Sequence, residues 1–547
     1  MYTTSTSRSN PDVRHEVKEL MYLCGPIIIS SLLLFALNIE DQVIVGQLLT
    51  KEDLAAAAIG NTYFNLFWYF LVGINCAVDT FGSQAVGAKQ YSDVGRWAQR
   101  GLFVCGVVCV PIILISVTCT EWIVLNVFQQ DPLVASKSAL FVRWLMPGLP
   151  FLVVADILRR WLQVQGHLSP AVYTGIIVNL LNIGFNFWFV QSFGLIGSPL
   201  ATSLSRIFQV ILLVALIKRY KLDQHSTTLT LSDTSNLTKT ETDTSMLATQ
   251  HVTNVSYTTF PAWSWSAILQ RKPLNSFLSV AMPGAAMLLL EAGAFETSTL
   301  IVGGLKNINI LDAHFIMLSL CGFSFVAFPL SVSIAASIRV GHLLGENKPF
   351  HARMVGWLSV GFGVGFMTVN GILIASCKNI LGYIFTDNLD IVHLVSQIAL
   401  IAATFQVVDG LQGTAAGALR GCGRQRDVAL TNLLGFWILG IPIGAILAFS
   451  GAGVFGVWWG LTIGLTVAAL VSVRILSKID WVNESKLALR RVGNGDGNGD
   501  AIHIDAGNGG GSNSMHTMMS VQNDTDHGGV ALLLAGDGLS VVVGDVP

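Results

Sequence analysis

Twelve apolar runs, separated by short polar connectors, dominate the chain: 20–46, 54–82, 98–119, 138–158, 170–190, 196–217, 274–302, 313–338, 354–376, 392–418, 428–449 and 454–476. Each holds about the 20 mostly apolar residues that a helix needs to cross a bilayer. The first run is too long for a signal core and lacks a small-residue cleavage site, so it is expected to stay as a membrane helix. Two polar stretches interrupt the pattern. Residues 219–272, rich in Ser and Thr, read as a cytoplasmic linker, and 479–547, rich in Gly, Asn and Asp, as a disordered cytoplasmic tail. The pattern predicts an all-α integral membrane protein: a cytoplasmic N-terminal tail 1–19, an N-lobe 20–218, the linker, a C-lobe 273–478 and the tail.

The two lobes read as copies. Pro26 and Pro283 lie 257 residues apart, as do Gly166 and Gly423, while Gly87 and Gly345 are 258 apart and Gly197 and Gly456 are 259 apart. Six spans per copy return the chain to its starting side. The repeats are therefore parallel, related by a pseudo-two-fold axis along the membrane normal, and paired lobes of this kind enclose a central cavity that opens to alternate faces.

Composition sharpens the class. With 52% hydrophobic and 12% charged residues, the chain carries about half the charge of a soluble protein, which excludes soluble enzymes, nucleic-acid binders and pumps with built-in nucleotide domains. A formal charge of −2 implies no polyanionic partner. Of 31 Lys and Arg, 25 fall on the side that holds both termini and only Lys51, Lys137, Lys306 and Lys378 on the other, so both termini are expected in the cytoplasm. The eight cysteines show no paired spacing and read as small buried hydrophobes. Asp496, Asn498 and Asp500 alternate like calcium ligands, but Ala501 and Gly507 stand where such a loop needs Gly and Glu. No metal site and no cofactor are predicted.

Ionisable residues inside the apolar runs need a reason, because each costs roughly 2.5 to 3.5 kcal/mol at mid-membrane. Asp156, beside Arg159 and Arg160, reads as a local ion pair, and Asp79 as a tether near a span end. Glu291 and Glu296 have no Lys or Arg near them before Lys306. Desolvation disfavours a carboxylate's charged form, so both are candidate proton sites, with a structural hydrogen bond as the alternative. Asp409, eleven residues before Arg420, joins them, and Glu40 and Asp41 stand in span 1. Asn179, Asn182 and Asn186 stack on one helix face, as interhelical glue or as substrate contacts. Arg206 lies deep in span 6, where a neutral residue is expected.

Several segments, in this order and spacing, carry a resemblance over about residues 20–478: Asp79 to Ala88, Gln130-Asp131-Pro132, Pro147 to Pro150, Gln165-Gly166 with the three asparagines, Phe328-Pro329 through Gly341, and Leu419-Arg420-Gly421-Cys422-Gly423. The chain resembles the multidrug and toxic compound extrusion (MATE) transporters, especially their eukaryotic branch. The resemblance implies a two-lobed antiporter that exports small organic solutes, with cations, drugs and toxic metabolites foremost, in exchange for H+, or less readily Na+. It places proton or substrate binding at Glu291, Glu296 and Asp409; Asp41 matches the acidic position of span 1 in prokaryotic members. Glu40, Asn179, Asn182, Asn186 and Arg206 are candidate cavity-lining residues. Eukaryotic members carry two aromatics after the first Glu of span 7, and here Ala292 and Gly293 replace them. The expected setting is a lipid bilayer, of the plasma or vacuolar membrane, with the protein working as a monomer and binding no nucleic acid. Rival readings are export of an organic anion or lipid-linked substrate, motivated by Arg206, and a non-transporting sensor or scaffold. An enzyme is not expected, since no nucleophile–base or metal-ligand pattern appears in the spans.

Overall fold

Ten helical stretches among the described residues are long and apolar enough to cross a membrane, and two of them, Ser169–Arg219 and Gln425–Ser477, run for 51 and 53 residues. At a rise of about 1.5 Å per residue each is more than twice the thickness of a bilayer's hydrocarbon. Each also breaks midway, at Gly194 (φ 61°) and at Gly451 and Gly453 (φ 116° and 57°), where the backbone takes a conformation open to glycine without strain. The chain therefore crosses twelve times. These findings come from a computed structural model that describes residues 12–229 and 253–493 and the strands Leu532–Ala535 and Gly538–Val541.

The N-lobe comprises α1 (Val13–Leu48), α2 (Lys51–Gly87), α3 (Tyr91–Asn126), α4 (Pro132–Leu145), α5 (Leu149–Val164), α6 (Ser169–Phe193) and α7 (Gly197–Arg219). Helices α4 and α5 form one crossing, interrupted by a 3-10 turn over Met146–Gly148 where Pro147 removes a backbone donor. In the linker, β1 (Gln224–Leu229) pairs antiparallel with β2 (Thr253–Thr258), and α8 (Trp265–Ile268) follows. The linker docks on the N-lobe: Trp161 Nε1 donates to the Thr259 carbonyl at 3.3 Å and Gln99 Nε2 to that of Pro261 at 2.6 Å.

The C-lobe comprises α9 (Arg271–Gly303), α10 (Ile308–Ala327), α11 (Pro329–Gly345), α12 (Pro349–Ser376), α13 (Lys378–Leu381), α14 (Leu389–Gly421), α15 (Gln425–Asn432), α16 (Ile441–Leu447) and α17 (Gly453–Ser477). Here α10 and α11 share one crossing broken at Phe328 ahead of Pro329, and π-helical turns flank α16. The duplication is visible in the backbone itself. Left-handed residues recur at Lys89 and Asn347 (φ 60° and 58°), at Gly166 and Gly423 (81° and 76°) and at Gly194 and Gly453 (61° and 57°).

One expectation is corrected. The tail is not irregular from 479: it opens with α18 (Trp481–Gly493). Ser485 donates to the Leu344 carbonyl and Asn347 Oδ1, each at 2.9 Å, Arg424 pairs with Glu484 at 2.8 Å, and Arg491 donates to the Cys422 carbonyl at 2.8 Å. The glycine-rich composition masked an amphipathic segment whose apolar face, Trp481, Ala488 and Val492, is buried. Residues 500–547 form a separate unit in which β3 (Leu532–Ala535) pairs antiparallel with β4 (Gly538–Val541). The alternating acidic run at Asp496 to Asp500 lies outside the described residues. Two of the cysteines, Cys119 and Cys377, are exposed rather than buried.

The lobes meet along α2 with α9 and α11, and along α1 with α10, α11 and α12. Glycines let backbones touch there: a methyl group on Gly73 would strike Gly284, one on Gly87 the His342 carbonyl, and one on Gly345 the Gln84 carbonyl. Every hydrogen bond between the lobes among the described residues lies at one face, where α2, α5, α11 and α14 end. Arg339 reaches Glu16 at 2.8 Å, His342 Nε2 the Val164 carbonyl at 2.7 Å, Thr80 Oγ1 the Arg420 carbonyl at 2.8 Å and Gln84 Nε2 that of Gly421 at 3.0 Å.

Candidate functional site

In the N-lobe, Asp41 sits buried near the end of α1 with its carboxylate fully engaged. Asn182 and Asn186 donate to Oδ1 at 2.9 and 2.7 Å, and Thr202 to Oδ2 at 2.7 Å. The positions follow from helix period: Asn182 and Asn186 are four apart on α6, and Thr202, Ser205 and Arg206 share one face of α7. Ser205 completes the network by donating to Asn182 Oδ1 at 3.0 Å. Asn179, on the same face, makes no bond to Asp41 and donates to the Gly175 carbonyl at 2.7 Å. Glu40, half-buried, lies within electrostatic reach of Asp41 and Asn182. Arg206 acts on Asp41 through its field, yet its guanidinium lies over the Phe64 ring, 4.6 Å from the centroid, and its Nε and Nη1 have no partner among the described residues.

In the C-lobe, half-buried Glu291 accepts from Asn432 Nδ2 at 3.2 Å, and Gln412 Nε2 donates to Asn432 Oδ1 at 3.1 Å. Asp409, buried on α14, lies within electrostatic reach of Glu291. Glu296, half-buried and without a hydrogen bond among the described residues, shares with Glu291 the field around Tyr69 of α2. The structure thus gathers Glu291, Glu296 and Asp409 in one lobe and Asp41, Glu40 and Arg206 in the other. Asp156 and Asp79 belong to neither group. Both bond to Arg160, with Arg159 and Asn75 also holding Asp156, and they stitch α2 to α5. An open cavity of about 370 Å³ lined by Asn379, Tyr383 and His393 lies at the start of α14 and contains none of these acidic residues.

A sequence profile described as MatE matches residues 26–188 and again 283–446, so each match opens on one of the paired prolines and together they cover more than half the chain. The chain belongs to the MATE family. It is a multi-pass integral membrane transporter, not an enzyme. Multidrug and toxin extrusion protein 2 of Mus musculus is 30% identical over 489 residues, which cover 88% of this chain and 78% of that protein. Multidrug and toxin extrusion protein 1 of Homo sapiens is 30% identical over 472 residues, 86% of this chain and 76% of the other. Among solved structures, the eukaryotic MATE transporter AtDTX14 superposes with a TM-score of 0.75 at 26% identity, covering 88% of this chain and 99% of that one. The Vibrio cholerae MATE transporter VcmN in the bent form shares the fold, with a TM-score of 0.70 at 14% identity over 87% of this chain and 99% of its own.

The structure answers the departure from the eukaryotic MATE pattern at Ala292 and Gly293 with an aromatic from another helix. The Trp437 ring lies 3.2 Å from where a methyl on Gly293 would stand, and its Nε1 donates to the Leu290 carbonyl at 2.8 Å. Reading the sequence also missed Thr202, Ser205, Gln412 and Asn432. The first two carry a signal in hindsight, since they lie four and one residues before Arg206. Asn432 and Gln412 gave none, because their partners come from helices distant in the chain.

Proposed function

We propose that this MATE transporter exports small organic cations in exchange for H+ by alternating access. The observation that carries the reading is the pair Glu291 and Asp409, two carboxyl groups within electrostatic reach of each other inside a lobe. Two such groups in a membrane interior favour taking up positive charge, and H+ and an organic cation compete for the same oxygens. Protonation from the acidic side expels the cation, and loss of the proton restores affinity; differential binding in the two orientations supplies the coupling. Glu296 and the Asp41 network extend the acidic surface to both lobes. With both termini in the cytoplasm, the hydrogen-bonded face between the lobes is the cytoplasmic one. The protein acts as a monomer in the plasma or vacuolar membrane.

Purified protein in liposomes, loaded with tetraethylammonium or citrate and given a pH or a Na+ gradient, tests this directly. The expected result is tetraethylammonium flux driven by the pH gradient alone. Flux that follows only Na+ overturns the coupling ion, and no flux under either gradient overturns the reading. A second reading, export of an organic anion, draws on the unpartnered Nε and Nη1 of Arg206, which suit a carboxylate. Movement of citrate but not of tetraethylammonium decides for it.

A further inference from the structure

Helix α18 follows the last crossing and carries none of the carboxylates described above. Its buried side chains nevertheless converge on two pieces of the C-lobe. Ser485 Oγ, fully buried, lies 2.9 Å from both the Leu344 carbonyl and Asn347 Oδ1, where α11 ends. Arg491 donates to the Cys422 carbonyl at 2.8 Å and stands over Gly423, and buried Glu484 accepts from Arg424 at 2.8 Å, all at the turn between α14 and α15. Trp481 anchors the start of the helix, its ring 3.3 Å from where a methyl on Gly356 of α12 would stand.

Those two pieces are the ones with which the C-lobe meets the end of α2. On α11, Gly345 lies against the Gln84 carbonyl, and the His342 carbonyl lies against Gly87. At the end of α14, the Arg420 and Gly421 carbonyls accept from Thr80 Oγ1 and Gln84 Nε2 at 2.8 and 3.0 Å. Within a few residues of each contact α18 holds the main chain, and the helix packs on α2 as well. Leu344 and Cys422 belong to final turns, whose carbonyls lack partners within their own helix. A donor from α18 therefore fixes where each of the two helices ends.

We propose that α18 is a clamp for the C-lobe half of the joint: by tying the end of α11 to the turn after α14, it sets both at the positions in which they close on α2, and without it the joint parts more readily. Ser485 and Arg491 act as positioning residues. The inference rests on the alternating access proposed above, in which this joint has to part and re-form.

Two native cysteines report the two events separately. Cys422 is buried where Arg491 docks, and Cys76 is buried in the joint itself, its Sγ 3.9 Å from Arg420 Nη1. The full chain in liposomes is exposed to a water-soluble maleimide and the labelled sites are located by mass spectrometry, with the buried Cys105 of the N-lobe as the control for unfolding. In Ser485→Ala and in Arg491→Gln, labelling of Cys76 is expected to accelerate about fivefold, the scale of one lost hydrogen bond, and Cys422 to accelerate with it. Ending the chain at Asp480 gives the larger change, and the point variants decide the matter if that shorter chain does not fold. Acceleration at Cys422 alone makes α18 a cover over its own docking site and overturns the proposal. So does an unchanged rate at both cysteines, or a rise that Cys105 shares, which marks loosening of the whole fold. Labelling needs no gradient, so a failure of tetraethylammonium transport overturns the exchange reading and is told apart from a failure here.

Discussion

Replacing Glu291 with Gln removes a charge while keeping size, shape and an oxygen that accepts from Asn432, whose amide lies 3.2 Å away. The fold has no reason to change. What is lost is the charge-assisted contact with the transported cation, worth about 1.5 to 3 kcal/mol, which corresponds to a fall of between about tenfold and a hundredfold in kcat/KM. The loss is not total, because Asp409 remains nearby as a second carboxylate. The assay is pH-driven tetraethylammonium uptake into liposomes between pH 6 and 8, with protein amount checked by size-exclusion chromatography. The variant is expected to be slow and to respond little to pH. Glu296→Gln serves as the internal comparison. It lies five positions on, about 140° around the helix, has no hydrogen bond among the described residues, and is expected to be milder. Transport by Glu291→Gln at the parental rate across that range would falsify the mechanism while leaving the family assignment untouched.

Asp41→Asn keeps one oxygen for Asn182 and Asn186 and turns its amide N–H2 to Thr202, whose hydroxyl then donates to the Ser198 carbonyl and accepts from the amide, so the charge assistance is what is lost; a thermal-shift assay is expected to show a loss of about 1 kcal/mol, and a parental pH profile of transport alongside it makes the charge structural. Ending the chain at Asp480 removes α18 and uncovers the buried Cys422; maleimide labelling of Cys422 is expected to accelerate markedly, and unchanged labelling refutes the docking. Asn236, Asn254, Asn483 and Asn523 match the glycosylation pattern, and the proposed orientation keeps all four sequences in the cytoplasm; Asn236 and Asn523 lie outside the described residues. A glycosidase-sensitive mass shift at any of these overturns the orientation.

Much of this architecture was legible because its causes are local or periodic. Apolar length defines a crossing, and the paired prolines and glycines announce the repeat. Breaks are harder: Gly194 and Gly453 could be read as connector residues, but nothing in composition foretold the π-helical turns around α16 or the helix at 481–493. Among the site residues, the carboxylates stood out through the cost of placing charge in an apolar run. Their partners did not. The three asparagines of α6 were visible as a stripe, yet only Asn182 and Asn186 reach Asp41, since the approach of α1 decides which rung of the stripe is used. Arg206 invited pairing with a carboxylate, and instead rests on Phe64 because neutral donors had already taken the Asp41 oxygens. Arg420 stood out only as part of a motif and as distant from Asp409, and its contacts with Ser333 and Thr80 depend on α11 and α2 arriving from elsewhere in the sequence.

The glycine contacts between the lobes have a mechanical consequence. Where Gly73 meets Gly284 and Gly87 and Gly345 meet the opposing carbonyls, bare backbone rests on bare backbone, while side chains pack beside these points, as where the Phe81 ring of α2 stacks on Phe277 of α9. Parting such surfaces forfeits few dispersion contacts and exposes mainly carbonyl groups, which water can satisfy as it enters. At these glycines the joint has little of its own to hold it, so its holding strength falls to the aromatic packing beside them and to the few hydrogen bonds between the lobes. A single added methyl at Gly87 or Gly345 would hold the joint ajar where α2 and α11 end, so these small residues set how completely the lobes close at that face.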